Sequence, residues 1–414
     1  MPSVDKVRLL FLAADKFPPF RVDVAVLFGR EMIGRGYKID WLLQSDAECQ
    51  QPYKTEWQSG RVWVGATNNG ISRWNRLKKH LLDIRNDLKV FRLTKQKNYH
   101  CVLVKDKFIS ALLAIIAAGT RKARFVYWLS YPFPEASLYR AQNGSARYPL
   151  FYFVRGWCFR FLLYHIIMPK ADHIFVQSEQ MKNDVMANGV EVEKLTAVPM
   201  GVEIAKVPYR KGLQVLDRKG KDKKIVYLGT VARVRKIDFL VRVFSLVRDL
   251  VPEARLYLVG GGDDPVDEQL IINEAARLGV ADAVVITGFL PMKTAWEYVQ
   301  TADVCVSPFC PTFILNSTSP TKLIEYMAMG KAVVGNDHPE QQQVLRDSSG
   351  GLCVPYREEA FAAAVVELLR NPQKAAAMGR NGREYVERYR TYRAIADIVE
   401  QQFRRILCGG QADE

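Results

Sequence analysis

Short runs of almost unbroken apolar residues, each followed by helical periodicity, restrict this chain to one class of fold. In the first half the runs are Lys6–Ala13 (KVRLLFLA), Lys38–Leu43, His100–Val104, Phe125–Leu129 and His173–Val176. In the second they are Lys224–Leu228 (KIVYL), Arg255–Val259, Ala283–Thr287 and Val304–Ser307. A strand that is apolar on both faces must be covered on both, so such runs belong to parallel sheets with helices on either side. Lys6–Ala13, a helix over Val24–Gly34 and Lys38–Leu43 make a first βαβ unit. The two sets are separated by Lys206–Lys224 (KVPYRKGLQVLDRKGKDKK), charged and poor in aliphatics as a linker is. The expectation is an α/β chain of two Rossmann-like, doubly wound domains, residues 1–205 and 206–384.

A chain of 414 residues with 49% hydrophobic and 25% charged residues has ample material for two cores. The seven cysteines are scattered and never spaced as CxxC, which suggests neither a disulfide framework nor a zinc site. A reducing compartment fits them. VRLLFLAA is too short and wrongly flanked for a signal peptide. Tyr148–Met168 is apolar and aromatic, but Arg155 and Arg160 would each cost about 2.5 to 3.5 kcal/mol at mid-membrane, so no transmembrane helix is expected. The net charge of +15 is uneven: residues 1–205 carry 30 Lys+Arg against 18 Asp+Glu. The basic surface therefore belongs to the first domain, where an anionic membrane or an anionic acceptor suits it. Ser72–Lys97 adds an amphipathic helical stretch with Trp74, Leu77, Leu81, Ile84, Leu88 and Phe91 at spacings of three and four, amid nine Lys+Arg and two Asp. No nucleic-acid-binding pattern accompanies these basic residues.

Ser317–Gly335 (STSPTKLIEYMAMGKAVVG) is the most chemically pointed segment. Ser319 is a good N-cap and Pro320 suits the first helical position, leaving the N–H groups of Thr321, Lys322 and Leu323 without intrahelical partners. Such a helix start favours a phosphate. Leu323, Ile324, Met327 and Ala328 form the apolar stripe, Gly330 ends the helix, and Glu325 stands about one turn inside it. A second cationic element, Gly229–Lys236 (GTVARVRK), follows the strand Lys224–Leu228. Asp263 and Asp264, in a loop without a third ligand, do not make a metal site.

The run SPTKLIEYMAMGKAVV resembles the signature helix of the nucleotide-sugar glycosyltransferases of the GT-B fold, glycosyltransferase family 4 in particular. The resemblance extends to Gly229–Lys236, Ala171–Val202 and Ala283–Pro308. It implies two domains facing across a cleft, with a last helix, about 385–408, packing back on the first. It implies transfer of a hexosyl unit from a nucleotide diphosphate sugar to a glycan acceptor with retention of configuration, without metal or other cofactor. On this resemblance the donor diphosphate is held by Ser319, Pro320, Thr321, Lys322 and Leu323, the ribose by Glu325, and the nucleotide base is bordered by Phe289. Ser317 occupies the position of the family's second glutamate. Gly229 and Thr230 begin the second donor loop, and its cationic clamp falls on Arg233 and Arg235, with Lys236 as substitute if the loop is shifted by one residue. On the acceptor side Arg21 stands in a glycine-free loop, Ser130 takes the place of the family's histidine, and Glu135 is the carboxylate of the loop SYPFPEASLYR.

A basic, aromatic first domain favours a lipid-linked acceptor, in surface polysaccharide or glycoconjugate assembly on the inner face of the cytoplasmic membrane. Two rivals share the fold: a nucleotide-sugar 2-epimerase, which needs acids and histidines in the cleft, and a donor-binding inactive subunit.

Overall fold

The computed structural model describes residues 7–408 except 47–50, 69, 71, 145, 210–221 and 263. Most of the expected linker and Asp263 therefore lie outside the described residues. The chain divides into two compact units, residues 1–199 with 392–414, and residues 200–391.

The first unit is built on one eight-stranded sheet. Its strands are β1 (Arg8–Phe17), β2 (Lys38–Ser45), β3 (Tyr53–Trp57), β4 (Gly60–Gly65), β5 (Cys101–Lys105), β6 (Arg124–Leu129), β7 (His173–Val176) and β8 (Leu195–Ala197), in the order β3-β4-β2-β1-β5-β6-β7-β8. All neighbours are parallel except β3 and β4, a hairpin whose turn residues Gln58 and Ser59 both have positive φ. The runs that read as doubly buried strands are buried: Leu9–Ala13 and Cys101–Val104 are 0% exposed. One side of the sheet packs a core with Phe11, Phe28, Trp41 and Trp128, joined by Tyr392, Ile395, Val399 and Phe403 of the last helix, Tyr392–Cys408. The other packs helices Phe108–Gly119 and Leu162–Ile167.

The second unit carries a six-stranded, all-parallel sheet of β9 (Lys223–Leu228), β10 (Ala254–Val259), β11 (Val284–Ile286), β12 (Val304–Ser307), β13 (Val333–Asn336) and β14 (Gly351–Val354), in the order β11-β10-β9-β12-β13-β14. Apart from the β3 hairpin, both sheets reverse their strand order once. The reversals lie between β1 and β5 and between β9 and β12, and the loops at the carboxyl ends of those strands are where doubly wound sheets receive ligands.

Several expectations change. The loop after the first strand begins later than the sequence suggests, because Lys16 and Phe17 still pair with Gln44 and Ser45. The helix over Val24–Gly34 is a π-helix, Asp23–Met32. Ser72–Lys97, for which the sequence allows one helix or a pair, is a pair, Arg73–Asp87 and Lys89–Gln96, the first capped by the Ser72 side chain, which accepts from the Asn75 N–H. The last helix, expected over about 385–408, begins only at Tyr392, since Arg390 O accepts from the Val202 N–H and Thr391 bridges to Val202, separating helix Pro372–Tyr389 from Tyr392–Cys408. Pro149–Ile167, discounted above for its arginines, is a 19-residue helical segment long and apolar enough by length and composition to cross a membrane.

Candidate functional site

In the second unit the end of β9 and the helix Thr321–Ala328 bring the expected donor residues together. Gly229 has φ +154°, and a Cβ there would lie 1.8 Å from Lys322 Nζ, so glycine is needed for the ammonium to reach the strand end. That ammonium also lies 5.3 Å from the centre of the Tyr227 ring, within cation–π range. Tyr227 donates its hydroxyl to Thr230 O at 3.0 Å, and Thr230 Oγ1 accepts from Arg235 Nε at 2.9 Å. Lys322 and Arg235 thus converge on one short loop. Gly260, at φ +142°, closes the other side: a Cβ there would sit 2.2 Å from Gly229 O.

The electrostatics of this loop suit an anion. Burial pushes Lys322 down to about 7, and the charge of Arg235 acts in the same sense, while Glu325 opposes it. Burial pushes Glu325 up to about 7 against the pull of Lys322. Lys322 and Arg235 therefore meet at the β9 loop beside the start of the helix, with Glu325 one turn further along it. An incoming phosphate would restore the full charge of Lys322.

The helix start differs from expectation. Pro320 is the N-cap residue, and no side chain caps the helix. Ser319 instead accepts from the Met200 N–H at 2.9 Å and donates to Glu340 Oε1 at 2.7 Å. Glu340 also accepts from Arg390 Nη1 at 2.9 Å, all three side chains being buried. Burial works against the Arg390 charge, but Glu340 and Tyr385 outweigh it and hold its pKa above the ordinary value. Ser319 fixes the entry of the chain into the helix and leaves its first N–H groups uncapped by a side chain, which suits an external anion. Leu323 is fully buried beneath them.

Ser317 does not reach outward: it is 1% exposed and donates its hydroxyl to Phe313 O in the preceding short helix. Arg233 and Lys236 are exposed on a turn in which Arg233 donates its backbone N–H to Asp267 and Lys236 has φ +50°. Of the three clamp cations, the structure brings only Arg235 to Thr230. Phe289, 67% exposed, lies against Gly261, where a Cβ would be 2.8 Å from its ring, and so presents a flat apolar surface. Asp264 caps the helix Pro265–Arg277 by accepting from the Val266 N–H.

In the first unit the reversal between β1 and β5 holds a group that the sequence did not reveal. Lys105, ending β5, is buried and pairs with Asp23 at 2.5 Å and with Asp15 at 4.0 Å. Arg21 reaches Asp23 at 3.2 Å and donates to Ser130 Oγ at 3.1 Å, while the Ser130 N–H and hydroxyl both donate to Asp106. Burial raises Asp23, yet Lys105 and Arg21 more than offset this and leave it below the carboxylate range. In Asp15 and Asp106 burial prevails, and both are raised. Asp106 adopts φ +58°, a conformation aspartate tolerates better than most residues. Arg21 and Ser130 therefore share one polar group, whereas Glu135 belongs to the helix Phe133–Gln142 and accepts from Tyr164 at 2.9 Å. Burial raises the Glu135 pKa. Among the described residues no group of three or more His, Cys, Asp or Glu side chains is arranged to hold a metal ion.

Two family models match. The model for glycosyltransferase family 4 covers residues 23–206, and that for glycosyl transferases group 1 covers residues 222–371. An uncharacterized glycosyltransferase of Methanocaldococcus jannaschii is 21% identical over 75% of this chain and 76% of its own length. A GDP-mannose-dependent alpha-(1-6)-phosphatidylinositol monomannoside mannosyltransferase of Mycolicibacterium smegmatis is 32% identical over 39% of this chain, and the match spans 42% of that relative. Among solved structures, sucrose-phosphate synthase of Thermosynechococcus elongatus superposes with a TM-score of 0.73 at 18% identity, covering 98% of this chain and all of that one.

Proposed function

The chain is a GT-B glycosyltransferase of the family 4 type, and from that premise we propose that it moves a hexosyl unit from a nucleotide diphosphate sugar to a glycan acceptor. The observation that carries this is the convergence of Lys322 Nζ and Arg235 on the Gly229–Thr230 loop, where the helix Thr321–Ala328 begins. Breaking the bond between the sugar and the diphosphate leaves negative charge on the departing oxygen. Preorganised cations and dipoles lower the barrier by stabilising that charge as it forms. Lys322 and Arg235 supply the cations, and the N–H groups of Thr321, Lys322 and Leu323 supply the dipoles. Glu325, one turn further on, accepts hydrogen bonds from ribose hydroxyls, and Phe289 offers its exposed ring to the base. Ser317 donates its hydroxyl to Phe313 O, which supports a reading in which the donor sugar is held through other groups.

The finer reading is retention of configuration, a lipid-linked acceptor at the inner face of the cytoplasmic membrane, and no metal or other cofactor. Fixed cations already face the diphosphate position, which supports the last of these, and the phospholipid-based acceptor in the name of the mycolicibacterial relative supports the second. The test is a thermal-shift panel of nucleoside diphosphates and their sugars, because a ligand that binds the folded state raises stability as RT ln(1 + [L]/Kd). Turnover with the stabilising donor and a lipid-linked glycan then follows, with and without EDTA. Stabilisation by one nucleotide series, and nucleoside diphosphate release that depends on acceptor and survives EDTA, are expected. Stabilisation by none would sink the donor site, and activity lost in EDTA and restored by magnesium would sink the metal-free mechanism.

A further inference from the structure

The first unit carries an apolar surface that its own core does not use. In the helix Pro149–Phe161, Leu150, Val154, Trp157 and Phe161 recur at i, i+4, i+7 and i+11 and so share one face. They are 76%, 52%, 51% and 57% exposed, and Phe151 and Phe153 widen the stripe on either side. The opposite side is committed to the protein. Gly156 is buried, with room for a Cβ only 2.7 Å from Leu138, and Phe159 stacks on Phe108 at 4.6 Å. Leu163, Tyr164 and Ile167, in the turns that follow, enter the core. This is an amphipathic helix with its apolar side turned outward.

A second helix repeats the pattern. In Arg73–Asp87 and its C-cap, Trp74, Leu77, Leu81 and Leu88 fall on one face and are 79%, 50%, 58% and 47% exposed. The apolar stripe of this stretch is therefore largely on the surface. What this helix buries is polar: Asp87 pairs with Lys107 and accepts from Ser110. Helix Phe108–Gly119 touches both neighbours, through Ser110 and Phe108, and exposes Ile109 and Ile116. Exposed apolar side chains of this size, grouped on neighbouring helices of one unit, mark an interaction surface.

We propose that the outward faces of Pro149–Phe161 and Arg73–Asp87 dock the protein side-on into the surface of an anionic lipid bilayer. Charge selects this occupant. Pro149–Phe161 contains no acid; exposed Arg147 lies just before it over the Tyr148 ring, and Arg160 lies over Trp157 while donating to Asn188, whereas Arg155 stacks on the inward-facing Phe159. Exposed Arg76, Lys78 and Arg85 accompany the second stripe. A second copy of this chain would set these cations against themselves, whereas an anionic leaflet neutralises them while its acyl region takes up the aromatic rings. The Arg147 and Arg160 guanidinium groups, over the Tyr148 and Trp157 rings beside the stripe, are placed to reach headgroups as the rings enter the lipid. The helix meets the bilayer along its side because its inner face stays bonded to the domain, which a membrane-crossing helix would have to abandon. This reading rests on the first unit alone and does not depend on the donor assignment.

The test is co-sedimentation of the full chain with phosphatidylcholine vesicles, with and without phosphatidylglycerol, at low and high salt. It is joined by quenching of Trp74 and Trp157 by lipids brominated along the acyl chain, with Trp74→Phe and Trp157→Phe identifying each signal. The parent is expected to bind the anionic vesicles, more weakly but measurably at high salt, with both tryptophans quenched. Trp157→Glu with Phe161→Glu should weaken binding by about tenfold or more, the scale of one buried aromatic side chain. Changing Arg76, Lys78 and Arg85 to glutamate should remove most of the salt-sensitive part, at roughly fivefold per residue. Nucleotide-induced thermal shifts should persist in both variants, which separates this surface from the donor site. The proposal is overturned if the parent ignores anionic vesicles, if Trp157 is not quenched, or if the double variant binds as the parent does. A parent dimer that Trp157→Glu converts to monomer, without vesicle binding, would give the face to a second copy and overturn it equally.

Discussion

The two sheet reversals share a topology but solve opposite electrostatic problems. At the end of β5 in the first unit, Lys105 and Arg21 are answered by Asp15, Asp23 and Asp106, and the group closes on itself through ion pairs and the Ser130 hydrogen bonds. At the end of β9 in the second unit, among the described residues neither Lys322 nor Arg235 makes an ion pair with a carboxylate, and burial lowers Lys322 despite the opposing charge of Glu325. A closed group of buried charges holds a fold in register, and its members are costly to remove. Cations without a carboxylate in ion-pair range keep most of their charge for a ligand, Glu325 offsetting only part of it at Lys322. Equal strand order is therefore a poor guide to equal function, and the charge balance at the loop is the better one.

The sharpest way to break this comparison is to remove one cation from each side. Lys105→Met leaves Asp23 and Asp15 buried beside Arg21 alone, and loss of one partner of a buried pair costs about 3 to 5 kcal/mol. A large fall in Tm is expected. Arg235→Ala removes a charge that only a ligand would use. Turnover should fall about 10²- to 10³-fold, as for loss of one group that stabilises leaving-group charge, while Tm changes little. Arg233→Ala, on the exposed turn, should reduce turnover less than Arg235→Ala does. If Lys105→Met were as stable as the parent, or Arg235→Ala were to unfold it, the two loops would not differ in the way described.

A smaller effect separates binding of the nucleoside from binding of the phosphates. Glu325 faces inward one turn from the helix start, so Glu325→Ala should weaken nucleoside diphosphate affinity by roughly 1.5 to 3 kcal/mol, the worth of a hydrogen bond to a charged group. Calorimetry with the nucleoside diphosphate and with inorganic pyrophosphate provides the check. Pyrophosphate should bind the variant at least as well as the parent, since a negative charge has been removed. An equal loss for both ligands would place Glu325 in the phosphate site instead.

How much of this was legible beforehand depends on whether the signal was local. The buried parallel strands, the start near Pro320 and Gly229 each leave a mark within a few residues, because apolar runs, Ser-Pro and a strand-ending glycine are local devices. The expected strand stopped at Val104, one residue short of Lys105, and Asp15 and Asp23 looked like members of a polar loop, since nothing in the sequence says that these strand ends lie side by side. Ser319 was assigned as a cap because its partner Glu340 is 21 residues away. The hairpin strand β3 was missed because Tyr53–Trp57 is a mostly exposed edge with charged residues, without the apolar run that marks an inner strand. For Arg73–Asp87 the period was legible but the direction was not: spacing identifies a face, but only the packed neighbours decide whether that face turns inward.

The mildest perturbation is pH, and it tests the pair at the helix start without altering a residue. In the ligand-free protein Lys322 and Glu325 are both brought to about 7. Below that pH Lys322 is already charged, so binding a diphosphate requires no proton on its account. Above it, the ammonium must be regenerated on binding, and affinity should fall by up to about tenfold per pH unit until the pKa of the complex is reached. Glu325 acts in the other direction: its carboxylate form accepts the ribose hydroxyls, so affinity should fall as the pH drops below about 7. Nucleoside diphosphate affinity should therefore be greatest near neutrality, with proton uptake on the alkaline side visible as a buffer-dependent binding enthalpy. Lys322→Arg should flatten the alkaline limb, because arginine stays protonated throughout. Glu325→Gln should flatten the acid limb, leaving only the second ionisation of the phosphate itself, near about 6. An alkaline limb unchanged in Lys322→Arg would mean that Lys322 does not meet the phosphate, and the converging cations at Gly229 would lose their assigned ligand.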